Sequence, residues 1–280
     1  MTRMGGLLGP AGGLKELRCA TSLSIAPTAD TVLQVAQGLD FETEWVQLRA
    51  GRPARQWAVE VGTAEPDALD HLVELEEWQR LDRALLVYYS EAAQLDNLLD
   101  PEASMMRPSR WMGVQRGGSS IEPDATGPVF MHSASGPADG GWVHLLDVPV
   151  PYWRTVTVTM LLSAYEGQAA RLVVTEVGID GADGPSREVS TSGARERVAT
   201  TFRTSGETVS LRFAVSGAVT IARPQVTLTD GPRDWVPGQG CRHAVLVAPA
   251  GEDVQLAIPD TSSGRRSSYQ WAIREVRRPN

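Results

Sequence analysis

The chain has 280 residues, 42% of them hydrophobic and 21% charged, with 27 glycines and 18 prolines, a mix that excludes a disordered chain and suits one or two turn-rich folded domains. A formal net charge of −8 excludes the basic field that a phosphate backbone requires, so no nucleic-acid partner is expected. No apolar run approaches the ~18 residues of a membrane-spanning helix, and the N-terminus lacks the ~7–15-residue apolar core of a secretory signal, so a soluble protein is expected.

In chain order, the first 30 residues are rich in Gly, Ala and Pro and read as an extended arm. Short strands are expected at 31–36 and 43–49, the second carrying Trp45. Residues 56–62 alternate, with Trp57, Val59 and Val61 on one face and Gln56, Ala58 and Glu60 on the other. The period then changes. Pro66 suits a first helical turn, Asp67 suits the positive end of the helix dipole, and Leu69, Leu72, Val73 and Leu81 recur at helical spacing. This predicts one amphipathic α-helix at about 66–81. Residues 85–89 read as a buried strand. Residues 90–128 read as loop, punctuated by Asp100-Pro101, Arg107-Pro108, Gly117-Gly118 and Glu122-Pro123, and mark a domain boundary.

The β pattern then strengthens, with strands expected at 129–132, 142–148, 155–165, 172–177, 198–203, 209–215 and 219–228. Residues 155–165 alternate strictly. Val156, Val158, Met160, Leu162 and Ala164 share one face and Thr155, Thr157 and Thr159 the other, as in a half-buried strand. Asp180-Gly181, Asp183-Gly184, Ser205-Gly206 and Ser216-Gly217 supply turns. Short strands at this spacing indicate a sandwich or jelly roll. A second boundary falls at 230–240, and three strands at 244–247, 254–258 and 269–276 close the chain. The expected fold is mainly β, with two β-sandwich or jelly-roll domains, the first bearing the helix at 66–81. The expected domains are 1–105, an insert at 106–235, and 236–280 returning to the first.

No recognised catalytic constellation is present. There is no Gly-x-Ser-x-Gly elbow, and a phosphate loop is impossible because Lys15 is the only lysine. His71, His132, His144 and His243 are scattered; His132 and His144 could meet across a sheet, but without a carboxylate they make a weak metal site. Asp180 and Asp183 suit a hairpin turn better than a calcium loop, since Thr191 stands where the loop's glutamate belongs. No enzyme activity, metal or cofactor is expected, although two carboxylates meeting only in space would leave a cell-wall glycosidase as a remote alternative. Cys19 and Cys241 read as two thiols or as one long-range bridge.

The aromatics carry more information. Trp45, Trp57 and Trp271 fit core strands. Trp142, Trp153 and Tyr165 of the middle region are candidate glycan-binding residues, because aromatic rings stack on the apolar C–H faces of sugars. Trp142 and Trp153 also fit core positions. Trp153 follows Pro149-Val150-Pro151-Tyr152 and is the one expected to be partly exposed.

Two stretches carry a family resemblance. One is Gly51-Arg52-Pro53-Ala54-Arg55-Gln56-Trp57-Ala58-Val59-Glu60-Val61, followed by Thr63-Ala64-Glu65-Pro66 and the helix; the other is Asp96-Asn97-Leu98-Leu99-Asp100-Pro101-Glu102-Ala103-Ser104. With the closing Ser268-Tyr269-Gln270-Trp271-Ala272-Ile273-Arg274-Glu275-Val276, their order resembles the minor tail proteins of siphophages infecting actinobacteria. Asp96 departs from the smaller residue expected there. The region from Thr155 through Ala222-Arg223-Pro224-Gln225-Val226 to Trp235-Val236-Pro237-Gly238-Gln239-Gly240 resembles carbohydrate-binding-module jelly rolls. The resemblance implies a structural virion protein, akin to distal tail proteins. It would be made in the host cytoplasm and form a ring of six copies, or of three, between the tail tube and the host-recognition apparatus at the tail tip. Its partners would be other tail proteins, with the jelly roll displayed outward. It also gives Cys19 and Cys241 a reason to be neighbours. The alternative is an adhesin for host cell-wall glycans.

Overall fold

The computed structural model describes residues 6–17, 20–28, 33–37, 43–47, 54–63, 77–78, 86–107, 120–123, 132–135, 143–164, 169–193, 195–216, 219–247 and 267–276. The strands in chain order are β1 (Leu7–Gly9), β2 (Lys15–Glu16), β3 (Ala20–Thr28), β4 (Leu33–Gln37), β5 (Thr43–Gln47), β6 (Ala54–Thr63) and β7 (Leu86–Tyr89). Two short helices follow, α1 (Glu91–Asp96) and α2 (Pro101–Ser104). Next come β8 (Ser120–Pro123), β9 (His132–Ser135), β10 (Val143–Pro149), β11 (Thr155–Ala164), β12 (Ala170–Gly178) and β13 (Asp183–Thr191). The last are β14 (Glu196–Arg203), β15 (Thr208–Ser216), β16 (Val219–Thr227), β17 (Cys241–Val247) and β18 (Ser267–Glu275). The protein is mainly β. The helix expected at 66–81 lies outside the described residues except for Glu77 and Trp78, which are helical.

The chain groups into two units: one of Met1–Glu16 and Leu86–Arg242, the other of Leu17–Leu85 and His243–Asn280. These bounds differ from the expected division at 105/106 and 235/236, because residues 86–105 bond to the middle strands. Leu98 donates its N–H to the Val226 carbonyl at 2.8 Å, and Leu228 donates to the Gln94 carbonyl at 2.7 Å.

The first unit holds a β-sandwich. One sheet runs β10-β15-β12-β13 and the other β14-β11-β16-β9-β8, all neighbours antiparallel. Between them lie Val156, Val158, Met160 and Leu162 of β11, Leu172 and Val174 of β12, and Leu211, Phe213 and Val215 of β15, all buried. Each such side chain contributes about 1.5–3 kcal/mol by leaving water. The opposite face of β11 departs from the half-buried reading. Thr157 and Thr159 are also buried, their hydroxyls donating to the Thr229 carbonyl at 2.7 Å and to Gln225 Oε1 at 3.1 Å. A strand whose second face is polar yet buried has the alternation of a solvated one; only the partners reveal the difference.

β13 was not expected. Its sequence, Asp-Gly-Pro-Ser-Arg-Glu-Val-Ser-Thr, reads as turns because it is a mostly exposed edge strand with little apolar alternation. His132 and His144 fall on β9 and β10, which belong to different sheets, so they do not meet across one sheet.

Residues 90–128 read as loop, yet the described part at 90–107 carries α1 and α2. Each has a strong N-cap: Ser90 Oγ accepts from Ala93 N, and Asp100 Oδ1 accepts from Glu102 N and Ala103 N. Helices of this length show no periodicity to read. Between them, Asn97 is fully buried. Its Nδ2 donates to the Pro224 and Val236 carbonyls, and its Oδ1 accepts from Leu99 N and Val226 N. Those bonds depend on an irregularity in β16. Thr159 and Leu161 of β11 face Gln225 and Ala222, so Arg223 and Pro224 bulge out of register. Pro224 has no N–H to waste, and a bulge is where a sheet tolerates it. Its freed carbonyl also accepts from Trp235 Nε1 at 3.2 Å.

In the second unit, β6 pairs antiparallel with β3 on one side and β18 on the other, β18 pairs with Ala244–Val247 of β17, and β4 pairs with β5. Trp57 is buried, with the Arg55 guanidinium 5.1 Å from its ring centroid. Arg55 also forms a forked pair with Glu275, Nε to Oε2 at 3.0 Å and Nη2 to Oε1 at 2.9 Å.

Candidate functional site

Of the three aromatic candidates, Trp142 and Tyr165 lie outside the described residues. Trp153 is described, and its side chain is not core: it is 58% exposed, beside Tyr152 at 53%. Its backbone has φ 55°, the left-handed region that a bulky residue seldom occupies.

The local sequence holds that conformation. Val150 N donates to the Val209 carbonyl at 3.1 Å, which ends the approach from β10. Thr204, buried at the end of β14, then clamps the turn. Its hydroxyl donates to the Pro151 carbonyl at 3.0 Å and accepts from Arg154 N at 3.0 Å, while its own N–H donates to the Arg154 carbonyl at 2.9 Å. The indole edge rests against Gly206. A Cβ there would lie 2.8 Å from Trp153 Cζ2, so the glycine makes the seat possible. Glu176, almost fully buried, anchors the same loop by accepting from Ser205 N at 2.8 Å and from the Thr208 hydroxyl. Its other oxygen faces Arg187 Nη1 at 3.4 Å.

Trp153 borders an open cavity of about 500 Å³, lined also by Leu95, Leu228, Asp230 and the arginines Arg154, Arg203 and Arg233. The Arg203 guanidinium lies 5.7 Å from the Trp153 ring centroid, and its Nε donates to the Trp153 carbonyl at 3.3 Å. Arg154 Nη2 pairs with Glu16 at 3.1 Å. The Leu228–Asp230 stretch also lines the cavity, pinned by the Thr227–Thr229 hydroxyl contact and by Thr229 donating to the Gly231 carbonyl. Leu95 and Leu228, an exposed indole and three guanidinium groups thus line one cavity. No group of three or more His, Cys, Asp or Glu able to hold a metal occurs among the described residues.

Trp153 stands out in the sequence, but its companions do not. Arg154 stands just before β11 and Arg203 at the end of β14, and Arg233 stands in a segment that reads only as a boundary. The one sequence signal was the run Pro149-Val150-Pro151-Tyr152-Trp153, apolar residues in a segment that prolines keep out of a central strand.

No protein-family model matches the chain, and no curated protein matches it. Among solved structures it is similar to the enzymatically active domain of bacteriophage CBA120 tailspike protein 4, at 9% identity and TM-score 0.35 over 47% of this chain; it spans only 22% of that one. It is also similar to a carbohydrate binding module from Cellvibrio mixtus lichenase 5A in complex with cellotriose (15% identity, TM-score 0.30, 41% of this chain and 90% of that one). A third is the C-terminal family 6 module of a Zobellia galactanivorans laminarinase (14% identity, TM-score 0.32, 42% and 95%).

Proposed function

We propose that this chain is a non-catalytic phage tail protein whose sandwich binds a carbohydrate at Trp153. The observation that carries the binding half is the indole itself. A tryptophan 58% exposed, held in a left-handed turn and seated on a glycine at the mouth of a cavity is a preformed stacking surface. Core packing does not explain it, and an aromatic of that size left in water gains from a ligand. Titration of the full chain against a panel of cell-wall glycans tests this. One or more should bind, and Trp153→Ala should weaken that binding about tenfold. Binding that survives the substitution unchanged would place the site elsewhere.

The tail half rests on the order of the sequence motifs, from the arginine-tryptophan strand of β6 through the Asn97-Leu98-Leu99 segment to the closing strand β18. In this reading the protein is a ring at the tail tip, joining the tail tube to the host-recognition apparatus, with the sandwich facing outward. The native mass of the purified chain should be a multiple of the 30.2 kDa protomer, by six or by three. A strictly monomeric mass at virion-like local concentrations would sink the ring.

A further inference from the structure

We infer that the carbohydrate recognised at the Trp153 cavity is acidic, carrying a carboxylate or phosphate group beside the stacked sugar. This rests on the carbohydrate reading above and narrows it.

The chain as a whole carries a net charge of −8. The cavity reverses that sign: Arg154, Arg203 and Arg233 line it against a single carboxylate, Asp230. The three guanidinium groups are not equivalent. Arg154 is partly neutralised by Glu16, with both side chains 41% exposed. Arg203 is committed to the platform, through the Trp153 carbonyl and ring. Arg233 is exposed, and no carboxylate among the described residues pairs with its side chain. Its backbone, by contrast, is fixed, because its carbonyl accepts from Arg197 Nη2. Arg197 is in turn tied to Thr159 at 3.0 Å and to Gln225. Arg233 is thus a cation on an anchored turn, lining the same cavity as the Trp153 indole.

A neutral sugar has no use for that arrangement. Hydroxyl groups are recognised as well by amides and carboxylates, whereas Arg233 is a guanidinium without a carboxylate partner among the described residues, in a cavity that two further guanidinium groups line. Guanidinium groups match the planar geometry of carboxylate and the tetrahedral oxygens of phosphate, and their charge-assisted bonds are about twice as strong as neutral ones. A sugar ring stacked on Trp153 would place a ring substituent toward Arg233 and Arg154. A uronate carboxylate and a phosphodiester meet the same donors, and the experiment separates them.

The test uses the full-length protein and matched probe pairs in calorimetry at moderate salt. One pair is an oligogalacturonate and its methyl ester; the other is a phosphodiester-linked sugar oligomer and the same sugar after phosphate removal. The acidic member of at least one pair should bind about tenfold or more tightly than its neutral partner, and the pair that shows it names the anion. Arg233→Ala should lower that preference about tenfold. Arg171→Ala, on an exposed arginine paired with Glu188 outside the cavity, should not lower it. Equal binding of acidic and neutral partners would overturn the acidic preference and leave the carbohydrate reading standing. A preference that falls as much with Arg171→Ala as with Arg233→Ala would make it a general charge effect and overturn the site. Binding of no probe and no cell-wall glycan would remove both readings together.

Discussion

At the scale of single residues, Gly206 and Trp153 behave as one object. The glycine is required by a close approach and not by its own dihedral angles, since a Cβ would fall 2.8 Å from Cζ2 and 3.0 Å from Cε2 of the indole. The clashing atoms are the far end of an exposed side chain, so the ring can swing away at little cost. Gly206→Ala is therefore expected to leave stability within about 0.5 kcal/mol, as surface substitutions usually do, while reducing carbohydrate affinity several-fold. Urea unfolding and calorimetry on the same sample check the two halves. A large loss of stability with affinity intact would show that the loop, not the ring, needs the glycine. The tryptophan was legible in the sequence as a candidate. The glycine was legible only as a turn, because nothing local says which side chain will come to rest on it.

At the scale of elements, the joint formed by α1, α2 and the β16 bulge governs the first unit. Asn97 makes four hydrogen bonds there while fully buried. Asp96, the residue that departs from the resemblance, takes part: its carbonyl accepts from Gln225 Nε2 at 2.7 Å, and its carboxylate from Gln239 Nε2 at 3.0 Å. Truncating Asn97 takes this partner from the Val236 carbonyl and from the N–H groups of Leu99 and Val226, and leaves the Pro224 carbonyl with Trp235 Nε1 alone, at about 1–3 kcal/mol for a buried group left unsatisfied. Asn97→Ala is expected to lower unfolding free energy by about 3 kcal/mol or more, read as a shifted urea midpoint. A loss under about 1 kcal/mol would mean that water replaces the amide. The regular strands of the sandwich were readable from alternation and turn residues. The joint was not, because its parts are short and its bonds link residues more than a hundred positions apart. The edge strand β13 escaped for the opposite reason, having few buried side chains to set a period.

At the scale of the whole molecule, two adjacent tyrosines set a limit on alkaline stability. Tyr88 and Tyr89 are both buried, and the Tyr89 hydroxyl donates to the Pro149 carbonyl at 2.8 Å. Burial, which disfavours the phenolate, pushes both hydroxyls well above the ordinary value of 10.0. Nearby Glu91 and Cys241 add to the shift for Tyr88, and Arg242 partly opposes it for Tyr89. A proton retained in the fold but lost from the unfolded chain makes stability fall with rising pH. The contribution is complete below the unfolded value and is lost progressively above it. Between about pH 10 and 12, unfolding free energy should drop by up to about 2.7 kcal/mol per pH unit, two protons' worth. Urea titrations across that window, with Tyr89→Phe halving the slope, provide the measurement. A flat profile would show that neither phenol holds its proton more tightly in the fold.

The carbonyls of Leu98 and Leu99 run so close to Gly238 and Gly240 that no side chain could stand between them, and Gln239 and Gly240 donate back to Asn97 and Leu99 at 3.0 Å. The polypeptide thus leaves this point and returns to it side by side, with 100–237 as a closed excursion between. A segment whose two ends lie together is the kind of place where one domain can be inserted into another. Any piece exchanged at this seam would carry Trp153, Arg154, Arg203 and Arg233 together, and would have to offer Gln94, Asp96 and Asn97 the same backbone and side-chain partners that Pro224, Gln225, Val226 and Leu228 give them.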